Sequence, residues 1–145
     1  MNKTLQKILR KVETVQVGLL RCHTDDDKKL LLQTRAGTTD DSLNCIVAND
    51  TFNVSLLSKN VNLIQKYKDD YIHISCKVKE EVVRETATVI SMEVLKACWF
   101  TRKSKGSVCW LSEKYIYNAM QYNPEEIDLA SWALGTIIPS THENL

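Results

Sequence analysis

Residues 71–94 constrain the fold of this chain more than any other stretch of its sequence. Apolar and polar residues alternate in both halves of this stretch, and such alternation predicts β-strands with one buried face. The expected inward positions are Ile72, Ile74, Cys76 and Val78 in the first half, and Thr88, Ile90, Met92 and Val94 in the second. The charged residues 80–85 between the halves predict an exposed turn. We therefore expect an antiparallel hairpin within a small β-barrel.

The length and charge of the chain are those of one ordinary globular domain. Its 145 residues predict a single domain over 1–145, with the barrel core at 14–97. Residues 98–135 would add a basic, aromatic loop and C-terminal helices. The formal net charge of +1 excludes a strongly basic protein of the histone kind, but it is compatible with a local basic patch. No apolar run approaches the length needed to span a bilayer.

The cysteine pattern predicts free thiols. The chain has five cysteines and no CxxC pair, and three of them fall inside predicted strands, where a free thiol packs as a small apolar group. We therefore predict reduced cysteines and a nuclear or cytoplasmic protein. The paired ligand spacing of structural zinc sites is missing, so we predict no metal site. The five positions are Cys22, Cys45, Cys76, Cys98 and Cys109.

The rest of the chain completes a mixed pattern of strands and helices. Helical spacing predicts a helix over residues 3–13, a second over 55–68, and two C-terminal helices over 111–122 and from Asn123 to about Gly135. Strands are predicted from Val15 to the polar turn that starts at His23, and over 29–35 and 43–48. Gly18 interrupts the first strand, which indicates a bend, a bulge or a close approach of another backbone. The predicted order is α-β-β-β-α-β-β followed by two helices.

Three strands, a helix and two further strands are the order of the OB-fold, a five-stranded, partly open barrel. Residues 14–97 resemble this family in pattern, with 55–68 in the position of its helix. The layout is similar to that of the small subunits of replication protein A and of the telomeric CST complex. This resemblance implies a fold that is mainly β, with flanking helices. It also implies a role in binding single-stranded nucleic acid, or in scaffolding, within a nucleic-acid maintenance complex.

The alternative is the FMN-binding split barrel of pyridoxamine phosphate oxidase-like proteins, which also begins with a helix before the first hairpin. In that family, the segment that starts at Thr51 would form a strand, a helix and another strand. Flavin phosphate would need cationic or hydroxyl side chains at the strand ends, and the candidates are Thr34, Arg35 and Lys59. The chain contains only four glycines and no glycine-rich phosphate loop. The OB-type interpretation needs no cofactor, whereas this alternative needs FMN.

Aromatic and basic side chains are the main candidates for a binding site. Single-stranded nucleic acid is held by stacking on aromatic rings and by cations near its phosphates. The stretch WFTRKSK offers both, and the polar face of the hairpin adds further cations. The predicted nucleic-acid-binding residues are Trp99, Phe100, Arg102, Lys103, Lys105, Lys77, Lys79 and Arg84. A structural role for the two aromatic residues, closing the barrel or packing under a helix, is the competing interpretation.

A third interpretation is a protein–protein assembly subunit without nucleic-acid contact. The apolar face of the helix over 111–122 would then bind a partner protein through Tyr115, Ile116, Ala119 and Met120. The same residues would otherwise pack on the barrel of this chain. No motif for nucleophilic, metal or phosphate-loop catalysis is present. We therefore predict a protein without catalytic activity, in which His73 on the focal strand is structural.

Overall fold

In a computed structural model of the chain, the described residues are 3–23, 29–40, 42–49, 55–101 and 106–113. They form one helix and seven strands. The elements are α1 (Lys3–Val15), β1 (Val17–His23), β2 (Lys29–Thr39), β3 (Ser42–Ala48), β4 (Asn60–Tyr67), β5 (Asp70–Val83), β6 (Ala87–Thr101) and β7 (Gly106–Leu111). The fold of this part is mainly β, as predicted.

The strands form a closed barrel of six antiparallel strands. Going round it, the order is β1, β2, β3, β6, β5 and β4, and β4 pairs again with β1. Closure depends on the long strand β6, whose first half pairs with β3 and whose second half pairs with β7. The register between β5 and β6 shifts twice, and such bulges increase the local bend of a strand. The described barrel thus has one strand more than the predicted five-stranded OB-type barrel, and β7 extends its sheet.

Helix α1 closes one end of the barrel. Its apolar residues recur at helical spacing, so that Leu5, Ile8, Leu9 and Val12 lie on one face and are buried. They join the interior side chains of the barrel in one hydrophobic core. Gln16 ends the helix in the left-handed region, at φ 64°, and turns the chain into β1. The helix predicted over 3–13 is confirmed. Within the described residues, no helix is long and apolar enough to cross a membrane.

The focal hairpin is confirmed as β5 and β6. Every expected inward position of both strands is buried, including Ile74 and Ile90, each with no exposed surface. Of the three features predicted at Gly18, the structure shows the close approach of another backbone. A Cβ there would lie 2.8 Å from the carbonyl oxygen of Ile64 on β4.

The helix predicted over 55–68 is wrong, because residues 60–67 form β4 between β1 and β5. The expected α-β order of the OB-fold is therefore interrupted at this position. Trp99 and Phe100, predicted to begin a loop, instead belong to β6. Leu111, predicted to begin a helix, ends β7. The other residues of the two predicted C-terminal helices, from 114 onward, lie outside the described part.

The prediction of five reduced cysteines is wrong for one pair. Cys98 and Cys109 lie opposite each other on β6 and β7 and form a disulfide. Cys22, Cys45 and Cys76 are free and buried. Burial raises the pKa of the Cys22 thiol to about 11, so this thiol stays protonated at neutral pH. The nuclear or cytoplasmic location stays a prediction.

Candidate functional site: a groove on the barrel surface

Trp99, a predicted stacking residue, joins the barrel to helix α1. Its indole Nε1–H donates a hydrogen bond of 3.0 Å to a carboxylate oxygen of Asp70. The ammonium groups of Lys7 and Lys11 lie 5.5 and 5.3 Å from the centre of its ring, a distance typical of cation–π contacts. The side chain also packs against the hydrophobic core. Contacts with the helix therefore already occupy this ring.

The other described residues of the predicted nucleic-acid site are spread along the hairpin. Phe100 lies opposite Tyr71 at the start of β5, whereas Arg84 lies in the turn at the far end of that strand. Between them, Lys79 forms an ion pair with Glu93 at 3.1 Å, and Lys77 lies opposite the same glutamate in the strand register. The structure does not bring these side chains to one place.

The charges around this hairpin do not favour a polyanion. The three cations Lys77, Lys79 and Arg84 are outnumbered by glutamates at 80, 81, 85 and 93. Non-specific affinity for nucleic acid grows with the number of phosphates that cations neutralise. The remaining predicted cations, Arg102, Lys103 and Lys105, lie outside the described residues, as do Tyr115, Ile116, Ala119 and Met120. The roles assigned to all these residues stay predictions.

The three side chains suggested for a flavin phosphate also lie apart. Thr34 is buried, and its hydroxyl donates a 2.9 Å hydrogen bond to the carbonyl oxygen of Ile46. Lys59 directly precedes β4, whose Asn62 pairs with Arg21, so Lys59 lies toward the end of β1. Its charge there partly offsets the rise in the pKa of the Cys22 thiol. Arg35, in contrast, pairs with Val17 at the beginning of β1. Arg35 alone therefore reaches the surface feature described next.

A groove of about 370 Å³ lies on the outer surface of the barrel, where β2, β3 and β6 are neighbours. The groove exists because β3 pairs with β6 and so closes the barrel. Side chains alternate along each strand, and the lining positions on these strands point away from the core, except for the buried Ala36. Its lining residues are Gln16, Arg35, Ala36, Gly37, Asn44, Ile46 and Val89.

One row of the groove runs from a cation to an apolar surface. Arg35 on β2 lies opposite Ile46 on β3, and Ile46 lies opposite Val89 on β6. Directly paired side chains on neighbouring strands have Cβ atoms about 5 Å apart, so the three side chains form a continuous strip. Ile46 is 49% exposed, and Val89 beside it is partly exposed. The strip therefore offers an open apolar surface next to a guanidinium.

Gln16 holds the guanidinium at the edge of the groove. Nη1 of Arg35 donates a 3.0 Å hydrogen bond to the side-chain oxygen of Gln16. The backbone of Gln16 is fixed in turn, because its carbonyl oxygen accepts a 2.7 Å hydrogen bond from the amide of Ala36. A guanidinium has more N–H donors than this single bond uses, so it retains donors for an anion.

Gly37 leaves the adjoining part of the groove open. It lies opposite Asn44, and a Cβ added at Gly37 would meet no atom within 4 Å. A side chain at this position would therefore project into the groove without disturbing the barrel. Among the lining residues, sequence reasoning identified only Arg35, as a flavin-phosphate candidate. Ile46 and Val89 carried no such signal, because they come from strands far apart in the sequence.

Comparisons with known proteins leave the family open. No protein-family model matches the sequence, and no curated protein matches it. A solved structure of a Corynebacterium glutamicum protein, described as a "Putative pyridoxamine 5'-phosphate oxidase", is similar to the chain at a TM-score of 0.47. The two are 12% identical, over 68% of this chain and 88% of that one. A similarity of this degree supports no conclusion about activity.

Proposed function

We propose that this protein binds a small ligand that combines an anionic group with a flat apolar ring, and that FMN is such a ligand. The observation that carries the proposal is the row from Arg35 through Ile46 to Val89, with a cation at one end, an exposed Ile46 and a partly exposed Val89. The split-barrel alternative from the sequence analysis also implied FMN as the ligand. A barrel that starts with a helix and continues through β4 is compatible with that alternative.

The size and character of the groove support a ligand of this kind. Ligand sites commonly have volumes of roughly 300–1,000 Å³, with mostly apolar walls and a few polar groups that fix orientation. The groove, at about 370 Å³, falls at the lower end of this range. Of its polar groups, Arg35 and Gln16 lie at one end of the row, and Asn44 lies two residues from Ile46 along β3.

The residues of the groove fit FMN in part. Arg35 would hold the phosphate through charge-assisted hydrogen bonds, and Ile46 and Val89 would contact the face of the ring. Thr34 and Lys59 do not fit, because the first is buried and hydrogen-bonded and the second lies toward the other end of β1. Bound flavin would supply hydride or electron transfer. The absence of catalysis, inferred from the sequence, stays a prediction.

The test is an FMN titration of the purified protein, followed by flavin fluorescence. Arg35→Met removes the phosphate contact, and hydrogen bonds to charged groups contribute about 1.5–3 kcal/mol, so Kd should rise roughly 10- to 100-fold. Gly37→Val should block the groove while leaving the fold intact. Arg10→Met is the matched control, because Arg10 is exposed on α1 and away from the groove.

Unchanged FMN affinity in Arg35→Met and in Gly37→Val would contradict the proposal, as would absence of FMN binding by the parent protein. In that case the nucleic-acid prediction is tested next, by titrating the intrinsic tryptophan fluorescence with a single-stranded oligonucleotide at low salt. Salt-sensitive binding that is lost on replacing Arg102, Lys103 and Lys105 with alanine would support it. If the protein binds neither FMN nor the oligonucleotide, the assembly-subunit prediction is favoured.

A further inference from the structure

A second row of residues crosses the outer surface of the sheet, away from the groove. It runs in register across β1, β4, β5, β6 and β7, through Leu19, Ile64, His73, Cys98 and Cys109. The chain neighbours of these residues, such as Leu63 and Ile74, belong to the interior core. Since side chains alternate along a strand, the row itself faces outward. All of its residues except Cys109 are nevertheless buried.

His73 occupies an unusual position in this row. Only 4% of it is exposed, and neither ring nitrogen has a hydrogen-bond partner among the described residues. A buried polar group without a partner costs stability, so such a group indicates a function or a missing interaction. In the strand register, His73 lies directly opposite Cys98, one half of the disulfide. Paired side chains on adjacent strands have Cβ atoms about 5 Å apart, so the imidazole adjoins that sulfur.

Two buried cations lie in the neighbouring row. Arg21 and Lys96 are 4% and 6% exposed, and each is two residues from a member of the first row, Leu19 and Cys98 respectively. Their charges, together with burial as the larger cause, lower the pKa of His73 to about 4. Arg21 and Lys96 therefore each contribute a positive charge close to His73. The same two charges favour a thiolate at the adjacent Cys98, whereas the burial of Cys98 opposes it.

We propose that the Cys98–Cys109 disulfide is a thiol–disulfide exchange site that reacts reversibly with low-molecular-weight thiols. Its geometry is asymmetric, since Cys109 is exposed and Cys98 is fully buried beside His73. An external thiolate therefore attacks the Cys109 sulfur, and Cys98 is the leaving group. This site is independent of the groove and of FMN.

The reaction balances without any other reactant. The incoming thiolate forms a bond to Sγ of Cys109, the Cys98–Cys109 bond breaks, and its electron pair goes to Sγ of Cys98. A second thiolate then attacks the sulfur of the external thiol in the mixed disulfide, which releases the external disulfide and leaves Cys109 as a thiolate. Both protein thiolates take up protons according to their pKa. The Cys98 thiol, once protonated, can donate a hydrogen bond to a ring nitrogen of His73.

The experiment equilibrates the folded full-length protein in buffers of reduced glutathione and glutathione disulfide, starting from both the oxidised and the reduced form. Free thiols are then trapped with a maleimide and located by peptide mass. The proposal predicts that Cys98 and Cys109 change together and reach the same ratio from both directions. Under the same conditions Cys22, Cys45 and Cys76 should remain unlabelled, because they are buried. A pair that stays bridged in excess reduced glutathione, or that never forms a bridge in excess glutathione disulfide, would overturn it.

Substitution of Lys96 or Arg21 tests whether these two charges speed the reduction of the disulfide. Lys96→Met should slow reduction by glutathione at least about threefold, because a leaving thiol of higher pKa departs more slowly. Arg21→Met should act in the same direction, and it replaces the first variant if Lys96→Met does not fold. Lys66→Met is the matched control, since Lys66 lies next to Tyr71 on the β4–β5 pair and should leave the rate unchanged. Equal rates in all three variants and the parent would mean that these cations do not activate the site.

Discussion

Replacing Gly18 with alanine should destabilise the barrel, because β4 passes too close to β1 for a side chain. An added Cβ would lie 2.8 Å from the carbonyl oxygen of Ile64, 2.9 Å from Cγ of Gln65 and 3.2 Å from Cδ1 of Leu63. Carbon atoms in favourable contact are about 3.5–4.0 Å apart, so at least two of these contacts are severe overlaps. The carbonyl oxygen of Ile64 belongs to the backbone of β4, so it cannot move aside as the end of a flexible side chain could. The Gln65 side chain is held by a 3.3 Å hydrogen bond from its amide to the carbonyl oxygen of Val12.

The size of the effect follows from two opposing contributions. Forcing a methyl group into a filled core costs about 1–3 kcal/mol. Alanine also restricts the unfolded chain, which returns about 0.4–1 kcal/mol where the backbone conformation suits it. The free energy of unfolding of Gly18→Ala should therefore fall by roughly 1–2 kcal/mol, and Tm by about 3–8 °C.

Gly37→Ala is the matched control, because a Cβ at Gly37 meets no atom within 4 Å. This variant should be as stable as the parent protein or up to about 1 kcal/mol more stable. Urea unfolding of the three proteins, with the slope compared as well as the midpoint, measures the difference. Equal stability of Gly18→Ala and the parent, or equal losses in the two glycine variants, would refute the close approach of β1 and β4.

Two further predictions concern the core and the buried histidine. Ile8→Ala in α1 should lower the free energy of unfolding by about 2–5 kcal/mol, since Ile8 has no exposed surface, and an unchanged urea midpoint would show that α1 lies outside the core. His73, with its pKa lowered from 6.5 to about 4, takes up a proton more readily in the unfolded chain, so stability should fall as pH drops through this window. Between pH 7 and pH 5 the loss should be about 2 kcal/mol, and His73→Leu should remove this contribution. A parent and variant with the same pH dependence would contradict it.

Local patterns were sufficient where one face of an element is buried and the other exposed. The alternation over residues 71–94 correctly predicted the hairpin, and the spacing of Leu5, Ile8, Leu9 and Val12 correctly predicted α1. In both cases, the apolar positions of the sequence are the buried positions of the structure. The sequence also indicated that Gly18 could mark a close approach of another backbone, but it did not identify Ile64 as the neighbour.

The strand β4 was misread because it is buried on both faces. Residues 63, 64 and 65 are consecutive and all buried, so the alternation of a half-exposed strand is missing. Leu57, Val61 and Ile64 in and before this strand happen to fit the spacing of a helix. A short apolar run of this kind cannot be assigned from periodicity alone. Its β-branched residues were the available signal for a strand.

Neither surface site could be assembled from the sequence, because each depends on strand pairing. The groove unites Arg35, Ile46 and Val89 only through the pairing of β3 with β6. Cys98 and Cys109 are 11 residues apart, and their bridge depends on the pairing of β6 with β7. His73 was expected on a polar face, and only the three-dimensional structure shows that this face is buried.

The most direct test of the proposed function compares the binding of FMN with that of riboflavin, which has the same ring system but no phosphate. If Arg35 holds the phosphate in the groove, the parent protein should bind FMN at least about tenfold more tightly than riboflavin. The same comparison in Arg35→Met should bring this ratio close to one. Equal binding of the two ligands by the parent protein, or an unchanged ratio in Arg35→Met, would contradict the account.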